Sequence, residues 1–334
     1  MRRAILPLLL ASAACISCAP TTGQTGVRSA AAPADAAADD YDLRAQYAKL
    51  ATIEMTPDTS FLTEEEREVV NLLIEASGYM DEIYLRQRGV QLPQLRETIS
   101  RSRRADRDLL VAMFDRNFGP WDEVAELRPF WGTQPMPEGA GFYPADLTRE
   151  EFDAYLAANP DQREALTSPY TVVERRGDGF VAVPYSQAYR EWLVPAARLL
   201  EQAAGRTSNP SLKRFLSLRA KSFLSDDYFE SEMAWMDLQD TPIEIAIGPY
   251  EVYTDRLYGT KTAFESFVTL KDPEASAALA KYKNYLRDME GNLPIEDRYK
   301  NFTRGFESPI AVADQVHGGG DNVPGVQTIA FNLP

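Results

Sequence analysis

Cysteine and histidine are almost absent from this chain. Its 334 residues include two cysteines, Cys15 and Cys18, and one histidine, His317. Protein zinc sites are normally built from His and Cys, with Asp or Glu as supplementary ligands. The part of the chain beyond Cys18 therefore offers no thiol chemistry, no disulfide and no ordinary zinc site.

The chain also lacks a surplus of positive charge. It contains 35 Lys and Arg against 50 Asp and Glu, which gives a formal net charge of −15. A nucleic-acid-binding protein needs a basic face, so this composition argues against that class and predicts no nucleic-acid partner. Apolar residues at 44% and charged residues at 25% are the balance of an ordinary globular protein.

Glycine-rich phosphate-binding motifs are missing too. Gly318, Gly319 and Gly320 are consecutive, but no Gly-Lys-Ser/Thr follows, so nucleotide binding is not predicted. We expect the three glycines to form a mobile or sharply turned loop. His317 precedes them, and a single loop histidine is more often a surface or hydrogen-bonded residue than a ligand.

The amino terminus carries the pattern of an export signal. Arg2 and Arg3 precede an apolar stretch, residues 4–14, that is too short to span a bilayer. The following SAACISCAP resembles a bacterial lipoprotein signal, in which the cysteine after the cleavage site is lipidated. We favour Cys18 over Cys15 as that cysteine. Secretion by an A-x-A cut without a lipid is the alternative.

Either signal predicts export, and the favoured one predicts a periplasmic or outer-membrane lipoprotein that meets the membrane through its lipid anchor. Residues 1–18 would be the lipoprotein signal. Residues 19–40 are rich in Ala, Thr, Gly and Asp and have little to bury, which is typical of a flexible tether.

Residues 41–334 are predicted to form a single α+β domain, helix-rich with a late β-sheet or partial barrel. Residues 41–240 would be the mainly helical part, and residues 241–334 the strand-rich part. Periodicity predicts helices over 61–88, 95–117, 148–159, 187–204, 211–224 and 273–289, capped in three cases by Thr63, Thr148 and Ser211. It predicts strands over 244–253, 264–270 and 327–333, and Gly177-Asp178-Gly179 predicts a hairpin over 171–184.

Two segments contain clusters of aromatic or acidic side chains that are better explained by packing and local structure than by a binding site. Residues 119–143 contain five large aromatics among prolines and glycines, and we expect the aromatics to pack on the core rather than line a site. The acidic residues 226–240 resemble a calcium loop, but the glycine at its sixth position is missing. We predict a helix and a turn there.

The segment IEIAIGPYEVYTD holds the best candidates for ligand contact. Glu251, Tyr253 and Asp255 recur at every second position, so on a strand they would share one face. A solvent-facing strand edge would show the same polar alternation. The functional interpretation is recognition of a peptide amino terminus, in which a carboxylate pairs with the ammonium and a phenol supplies a hydrogen bond.

Asn332 is a further candidate. It lies in the run AFNLP near the end of the sequence, among apolar residues. A buried asparagine must find hydrogen-bonding partners, which a ligand or a neighbouring loop could supply.

These motifs resemble the dipeptidyl peptidase III family of zinc metallopeptidases, especially its bacterial members. The matching stretches run in order over most of residues 61–334, and they include LTEEEREVVNLLIEASGYMDEIY, GPWDEVAELRPFW, NPSLKRFLSLRAKSFLSDDYFESEMAWMDL, IGPYEVYTDRLYGTKTAFESFVTLKD and VPGVQTIAFNLP. The resemblance implies one lobe of a two-lobed fold with a wide cleft. It also implies release of dipeptides from the amino termini of short peptides.

The resemblance assigns roles to three residues. The Glu and Tyr of the family's E-x-Y element bind substrate and correspond to Glu251 and Tyr253. Asn332 matches an asparagine that binds the peptide backbone. Asp255 is a further substrate-binding candidate from the strand pattern alone.

The family's catalytic residues have no counterpart here. Its zinc ligands are two histidines of an H-E-x-x-G-H helix and a downstream glutamate, and the motif's own glutamate is the general base. The match stops at Pro334, before that lobe. We therefore expect no catalytic residue, no metal ligand and no bound cofactor in this chain, with zinc only in a complete family member.

Three hypotheses follow. The first is the substrate-binding half of an exported zinc-dependent dipeptidyl peptidase, inactive alone, whose missing catalytic lobe would be a partner. The second is a stand-alone peptide-binding lipoprotein without catalysis. The third is an exported scaffold with no ligand. An in-frame zinc-binding helix encoded downstream would favour the first, and the sequence alone does not decide whether the chain is an enzyme.

Overall fold

The structure, a computed structural model, describes residues 41–54, 56–302, 311–322, 328, 330 and 331. The helices are α1 (Leu43–Tyr47), α2 (Glu64–Arg88), α3 (Leu92–Ser100), α4 (Arg107–Asn117), α5 (Arg149–Ala158), α6 (Arg163–Thr167), α7 (Tyr185–Ala188), α8 (Arg190–Arg206), α9 (Pro210–Ser225), α10 (Phe229–Met236), α11 (Pro273–Ala280) and α12 (Leu286–Gly291). The strands are β1 (Trp121–Asp122), β2 (Arg128–Pro129), β3 (Thr171–Arg176), β4 (Gly179–Pro184), β5 (Ile243–Glu251), β6 (Ala263–Asp272) and β7 (Val312–Gly320). The fold is α+β, as predicted.

Helix α2 is the long helix predicted from periodicity, and its capping box is present. The Thr63 hydroxyl accepts the Glu66 N–H at 3.2 Å, while the Glu66 carboxylate accepts the Thr63 N–H at 2.8 Å. These bonds satisfy donors that the first turn leaves without partners. The buried face of α2 packs against α8, β6 and β7, and places the helix at the centre of the core.

The single helix predicted over 95–117 is wrong. The structure has two helices, α3 and α4, and α3 begins earlier, with Pro93 in its first turn, where a missing N–H costs nothing. Between them, the Arg104 guanidinium binds the Asp106 carboxylate with two contacts of 2.8 Å. Residues two apart do not face each other on a helix, so this pair requires a turn.

The predicted cap of α9 is also wrong. Asn209, not Ser211, occupies the cap position, and its Oδ1 accepts the Leu212 N–H at 2.9 Å. Ser211 donates its hydroxyl to the same Oδ1 at 2.7 Å. Pro210 then takes the first helical position, which suits its fixed φ. Thr148 caps α5 as predicted.

Two other predicted helices are interrupted in the structure. The segment 187–204 falls across α7 and α8, which are separated at Tyr189. The segment 273–289 begins with α11, continues through a 3-10 turn at Lys281–Tyr285 and ends in α12. The helical character was predicted, but the breaks were not.

The hairpin over 171–184 is confirmed. Strands β3 and β4 pair antiparallel with Arg176 opposite Gly179, which leaves Gly177 and Asp178 as a two-residue turn. Gly177 has a φ of +59°, the left-handed conformation that such turns favour. The aromatics of residues 119–143 pack as expected, since Trp121, Phe130 and Phe142 are buried in the core.

The sheet β5–β6–β7 carries the late strands of the prediction. Its β5 strand sends Ile245 and Ile247 into the main core, while Ala246 points to the opposite face and packs with Phe267 of β6. This is the period-2 alternation of a strand, and it gives the sheet two buried faces. The second face belongs to a small aromatic cluster that borders the cleft described below.

The expected loop at Gly318–Gly320 is wrong. The three glycines end strand β7 and pair with β6, with Gly319 opposite Ser266 and His317 opposite Val268. They are needed because β7 lies very close to its neighbours. A Cβ on Gly319 would lie 2.7 Å from the Ser77 carbonyl oxygen of α2, nearer than real Cβ atoms come to other atoms.

A buried cation ties the strand that leads into the candidate site to the helical part. Arg219 of α9 is fully buried and donates to the Ile247 carbonyl at 2.9 Å and to the Tyr250 hydroxyl at 2.8 Å. Its other terminal nitrogen pairs with Glu232 of α10 at 2.6 Å. A guanidinium out of water needs such acceptors, so these contacts fix β5 against α9 and α10.

Several predictions fall on residues outside the described part. These are the export signal with Cys15 and Cys18, the tether over 19–40, Asn332, and most of the strand predicted over 327–333. Within the described part, no helix combines the length and apolarity needed to cross a membrane.

Candidate functional site

A cleft of ≈ 390 Å³ opens between the carboxyl-terminal turn of α2, the segment after α4 and the ends of β5 and β6. It has a mixed lining of charged, phenolic and apolar side chains. The lining residues are Tyr84, Arg88, Glu123, Leu127, Met136, Glu251, Tyr253, Thr254, Arg256, Glu265, Phe267, Asp321, Thr328, Ala330 and Phe331. Two of the residues predicted from the sequence, Glu251 and Tyr253, are therefore brought together here.

Another hollow of similar volume, ≈ 390 Å³, lies against α1. Its lining includes Tyr41, Arg44, Phe130 and the paired Arg104 and Asp106, and none of the residues predicted from the sequence lies there. The candidate site is therefore the cleft at the end of β5.

The expected strand face of Glu251, Tyr253 and Asp255 is wrong. Strand β5 ends at Glu251, opposite Ala263, after a register shift that begins at Pro249. A turn follows, in which the Asp255 N–H donates to the Val252 carbonyl at 3.2 Å. Glu251 and Tyr253 thus share the cleft without sharing a strand face, and Tyr253 is 79% exposed.

Asp255 is buried and engaged by protein donors. Its carboxylate accepts the backbone N–H of Tyr258 at 2.9 Å, of Thr260 at 2.9 Å and of Lys261 at 3.0 Å. The Tyr143 hydroxyl adds a fourth contact at 3.1 Å. Four donors on one carboxylate are enough to hold it in place without a ligand.

Besides Glu123, two acidic side chains in the cleft were missed by the sequence reasoning. Glu265 lies on β6 two residues before Phe267, so both point to the cleft face. Asp321 directly follows β7 and also lines the cleft. No signal marked them beforehand, because β6 is buried on both faces and shows no polar alternation, and Asp321 followed an expected loop.

Burial dominates the electrostatics of these two carboxyls. It raises the pKa of Glu265 to about 8, with help from the negative charges of Asp321 and Glu251. It raises the pKa of Asp321 to about 6, although hydrogen bonding with Tyr84 and the charge of Arg88 oppose the rise. Both effects arise because a carboxylate loses solvation in the cleft wall. Near neutral pH, Glu265 therefore keeps its proton for most of the time.

An ion pair between buried Arg88 and half-buried Glu123 lies in the cleft wall near Asp321. Arg88, the last residue of α2, pairs with Glu123 at 2.6 Å and donates to the Asn117 carbonyl at 3.3 Å. One turn earlier, the Tyr84 hydroxyl lies 3.3 Å from the Thr254 hydroxyl, beside Tyr253. Four carboxyl groups line the cleft against two guanidinium groups. Even with Glu265 protonated, three carboxyl groups remain against the two cations, so the lining favours a cationic ligand.

His317 does not line the cleft. It lies on β7, where its Nε2 is buried and has no hydrogen-bond partner among the described residues. Burial lowers its pKa, which favours the neutral imidazole. Within residues 41–54, 56–302 and 311–322, no three His, Cys, Asp or Glu side chains are grouped to hold a metal ion. The described residues therefore do not fit a zinc site.

A family model and two solved structures relate this chain to peptidases. Residues 147–309 match the family model described as peptidase family M49. The fold matches dipeptidyl peptidase III from Caldithrix abyssi with a TM-score of 0.83 at 48% sequence identity, and the enzyme from Corallococcus sp. strain EGB with a TM-score of 0.80 at 38% identity. The chain is therefore similar to this peptidase family over residues 147–309, and to the fold of dipeptidyl peptidase III over most of its length, as the sequence motifs predicted.

These matches cover most of this chain but only about half of each matched protein. The two structural matches cover 87% of this chain but 56% and 55% of the enzymes. A curated relative, Nudix hydrolase 3 from Arabidopsis thaliana, is 30% identical over an alignment of 349 positions, gaps included, that covers 89% of this chain and 45% of the relative. The chain thus spans about half the length of the proteins it matches.

Proposed function

We propose that the cleft binds the amino-terminal end of a short peptide. The observation that carries the proposal is the convergence of Glu251, Glu265 and Asp321 with the exposed Tyr253 phenol on one cleft. A peptide ammonium is the one cation that every unmodified peptide carries at its first residue. The two dipeptidyl peptidases with the same fold support this class of ligand.

Each cleft residue has a chemical role in the proposal. The Glu251 carboxylate pairs with the ammonium in a charge-assisted hydrogen bond. The Tyr253 hydroxyl, which can donate or accept, meets the first peptide group. Leu127, Met136 and Phe267 offer apolar surface to the first side chain. Asn332 is proposed to bind the peptide backbone further along. Asp255 acts indirectly, through the loop that carries Tyr253.

Protonated Glu265 adds a proton-linked element. With its pKa near 8, this carboxyl is mostly neutral at pH 7. An ammonium placed beside it favours the ionised form, so binding would expel the Glu265 proton. Glu265 would then become negatively charged only when the peptide ammonium is bound beside it.

In its wider setting, we propose that the chain is the substrate-binding part of an exported zinc-dependent dipeptidyl peptidase. The described residues do not fit a zinc ion, so the role proposed for them is peptide binding and not catalysis. The alternative is a stand-alone peptide-binding lipoprotein. Both settings include lipidation at Cys18, or at Cys15, and both need the peptide site.

Calorimetry with tri-alanine and N-acetyl-tri-alanine tests the proposal. Acetylation removes the ammonium and keeps the side chains, so we expect the purified chain to bind tri-alanine and to bind the acetylated peptide at least about tenfold more weakly. Equal affinity for the two peptides would refute an ammonium site. Absence of any binding heat at millimolar peptide, with no displacement of a labelled peptide, would refute peptide binding itself.

A further inference from the structure

We propose that Asp255 and Lys261 are positioning residues for Tyr253. Residues 252–262, here called the Tyr253 loop, connect β5 to β6 and carry the exposed phenol. The inference rests on the proposed peptide site and concerns how that site is kept in its binding conformation. Neither residue lines the cleft, so neither would touch the peptide.

The first observation is that the Tyr253 side chain does not hold itself in place. Its ring is 79% exposed, and within the described residues its hydroxyl has no hydrogen-bond partner. Its position is therefore set by the backbone of the loop. A loop of this length would otherwise lose conformational freedom on binding, and this loss would weaken the affinity.

The second observation is that Asp255 closes the loop on itself. Its two carboxylate oxygens accept three backbone N–H groups within the loop, from Tyr258, Thr260 and Lys261, at 2.9 to 3.0 Å. These bonds bring the start of the loop against its end. The turn that carries Tyr253 is thereby fixed relative to β6, where Glu265 lies.

The third observation is that Lys261 fixes the loop to the rest of the molecule. Its amino group is fully buried and donates to the carbonyls of Leu166 and Ser168 at 2.7 Å each and to the Thr171 hydroxyl at 2.8 Å. All three acceptors lie in or beside α6 and β3. Burial lowers the pKa of Lys261 to about 7, against the opposing charge of Asp255, so its amine is only partly protonated near neutral pH. It anchors the loop through its hydrogen bonds to these acceptors.

Other contacts support the same loop from different sides. The Arg149 guanidinium donates to the Leu257 carbonyl at 2.6 Å, and the Arg256 N–H donates to the Glu138 carbonyl at 2.9 Å. The Tyr253 loop is thus held at its middle and at its end, whereas the phenol itself remains open to the cleft. This arrangement is a preorganised binding group supported by buried polar contacts.

A double-mutant cycle separates positioning from mere stabilisation. Tri-alanine affinity is measured for the unchanged chain, Asp255→Asn, Tyr253→Ala and the double variant. The Asn amide cannot accept as many N–H groups, so the loop loosens. We expect Asp255→Asn to weaken binding about tenfold when Tyr253 is present and less than about twofold in the Tyr253→Ala background. A residue that only stabilises the fold would weaken both backgrounds alike.

Hydrogen exchange and a milder variant complete the test. The amides of Tyr258, Thr260 and Lys261 should exchange faster in Asp255→Asn, while those of α2 should not. If that variant does not fold, Tyr143→Phe replaces it in the double-mutant cycle, because it removes one hydrogen-bond donor to Asp255. The coupling to Tyr253→Ala should then be smaller. Lys261→Met, which removes the anchor, should show the same dependence on Tyr253.

The outcomes distinguish the two proposals. If the unchanged chain does not bind tri-alanine, the proposed function fails and this inference fails with it. If the chain binds and Tyr253→Ala weakens binding, but the effects of Asp255→Asn and Tyr253→Ala are additive, only the positioning role is refuted. An effect of Asp255→Asn that disappears in the Tyr253→Ala background supports both.

Discussion

Gly320 lies directly opposite Glu265 in the antiparallel pair of β7 and β6. Its φ is +68°, and its N–H donates to the Asp81 carboxylate of α2 at 2.7 Å. The next residue, Asp321, turns into the cleft beside Glu265. A backbone conformation that glycine tolerates and other residues avoid therefore places the second buried carboxyl of the candidate site.

Replacing this glycine should destabilise the protein. A Cβ on Gly320 would lie 2.1 Å from the Phe264 carbonyl oxygen, and the positive φ adds strain. We expect Gly320→Ala to lower the free energy of unfolding by about 2 kcal/mol or more in urea titrations. Gly78→Ala is the matched control, because Gly78 lies within α2 with nothing within 4 Å of the added carbon.

The control should change stability in the opposite direction, by about 0.4–1 kcal/mol, since alanine restricts the unfolded chain. If the two substitutions changed the free energy of unfolding equally, the close approach of Gly320 to the Phe264 carbonyl oxygen would be contradicted.

The pKa of Glu265 predicts how its replacement depends on pH. The pKa rises from 4.5 in the unfolded chain to about 8 in the folded protein, so between these values the folded state holds a proton that the unfolded state has released. Stability contributed by this group therefore falls as pH rises through that window. Glu265→Gln stays neutral, and relative to wild type it should gain about 1 kcal/mol or more between pH 5 and pH 8.

Urea unfolding at both pH values measures this difference. Glu174→Gln makes the same chemical change at an exposed position of β3 and should leave the pH dependence as it is in wild type. A Glu265→Gln curve parallel to wild type would contradict the raised pKa.

Peptide binding should release a proton from Glu265 near neutral pH. Calorimetry in Tris and in phosphate detects this release, because Tris gives out heat when it takes up a proton and phosphate gives out little. We expect tri-alanine binding at pH 7 to be more exothermic in Tris than in phosphate. Glu265→Gln should remove the difference between the buffers, while equal heats for wild type would contradict the coupling.

Lipidation can be read directly from single substitutions. We expect Cys18→Ser to abolish incorporation of an alkyne-labelled fatty acid in a bacterial host, and Cys15→Ser to retain it. The opposite pattern would assign the lipid to Cys15. No incorporation in the unchanged protein would favour secretion without an anchor.

Local sequence patterns predicted most helices and strands, whereas the geometry of the candidate site depends on contacts between residues far apart in the sequence. The α2 capping box and the β3–β4 turn were readable because both depend on residues within four positions of one another. The end of β5 at Glu251 could not be predicted from the sequence, since it depends on a register shift against β6. The three glycines looked like a loop because the sequence does not show that α2 and β6 press against them. Glu265 was hidden in a strand buried on both faces.

The preference of the cleft for a free amino terminus is the most direct test of the account. The ratio of affinities for tri-alanine and N-acetyl-tri-alanine should be measured for wild type, Glu251→Gln and the exposed control Glu174→Gln. We predict a preference of at least about tenfold in wild type and in the control, and a ratio near one in Glu251→Gln. An unchanged preference in Glu251→Gln would contradict the assignment of this carboxylate to the peptide ammonium.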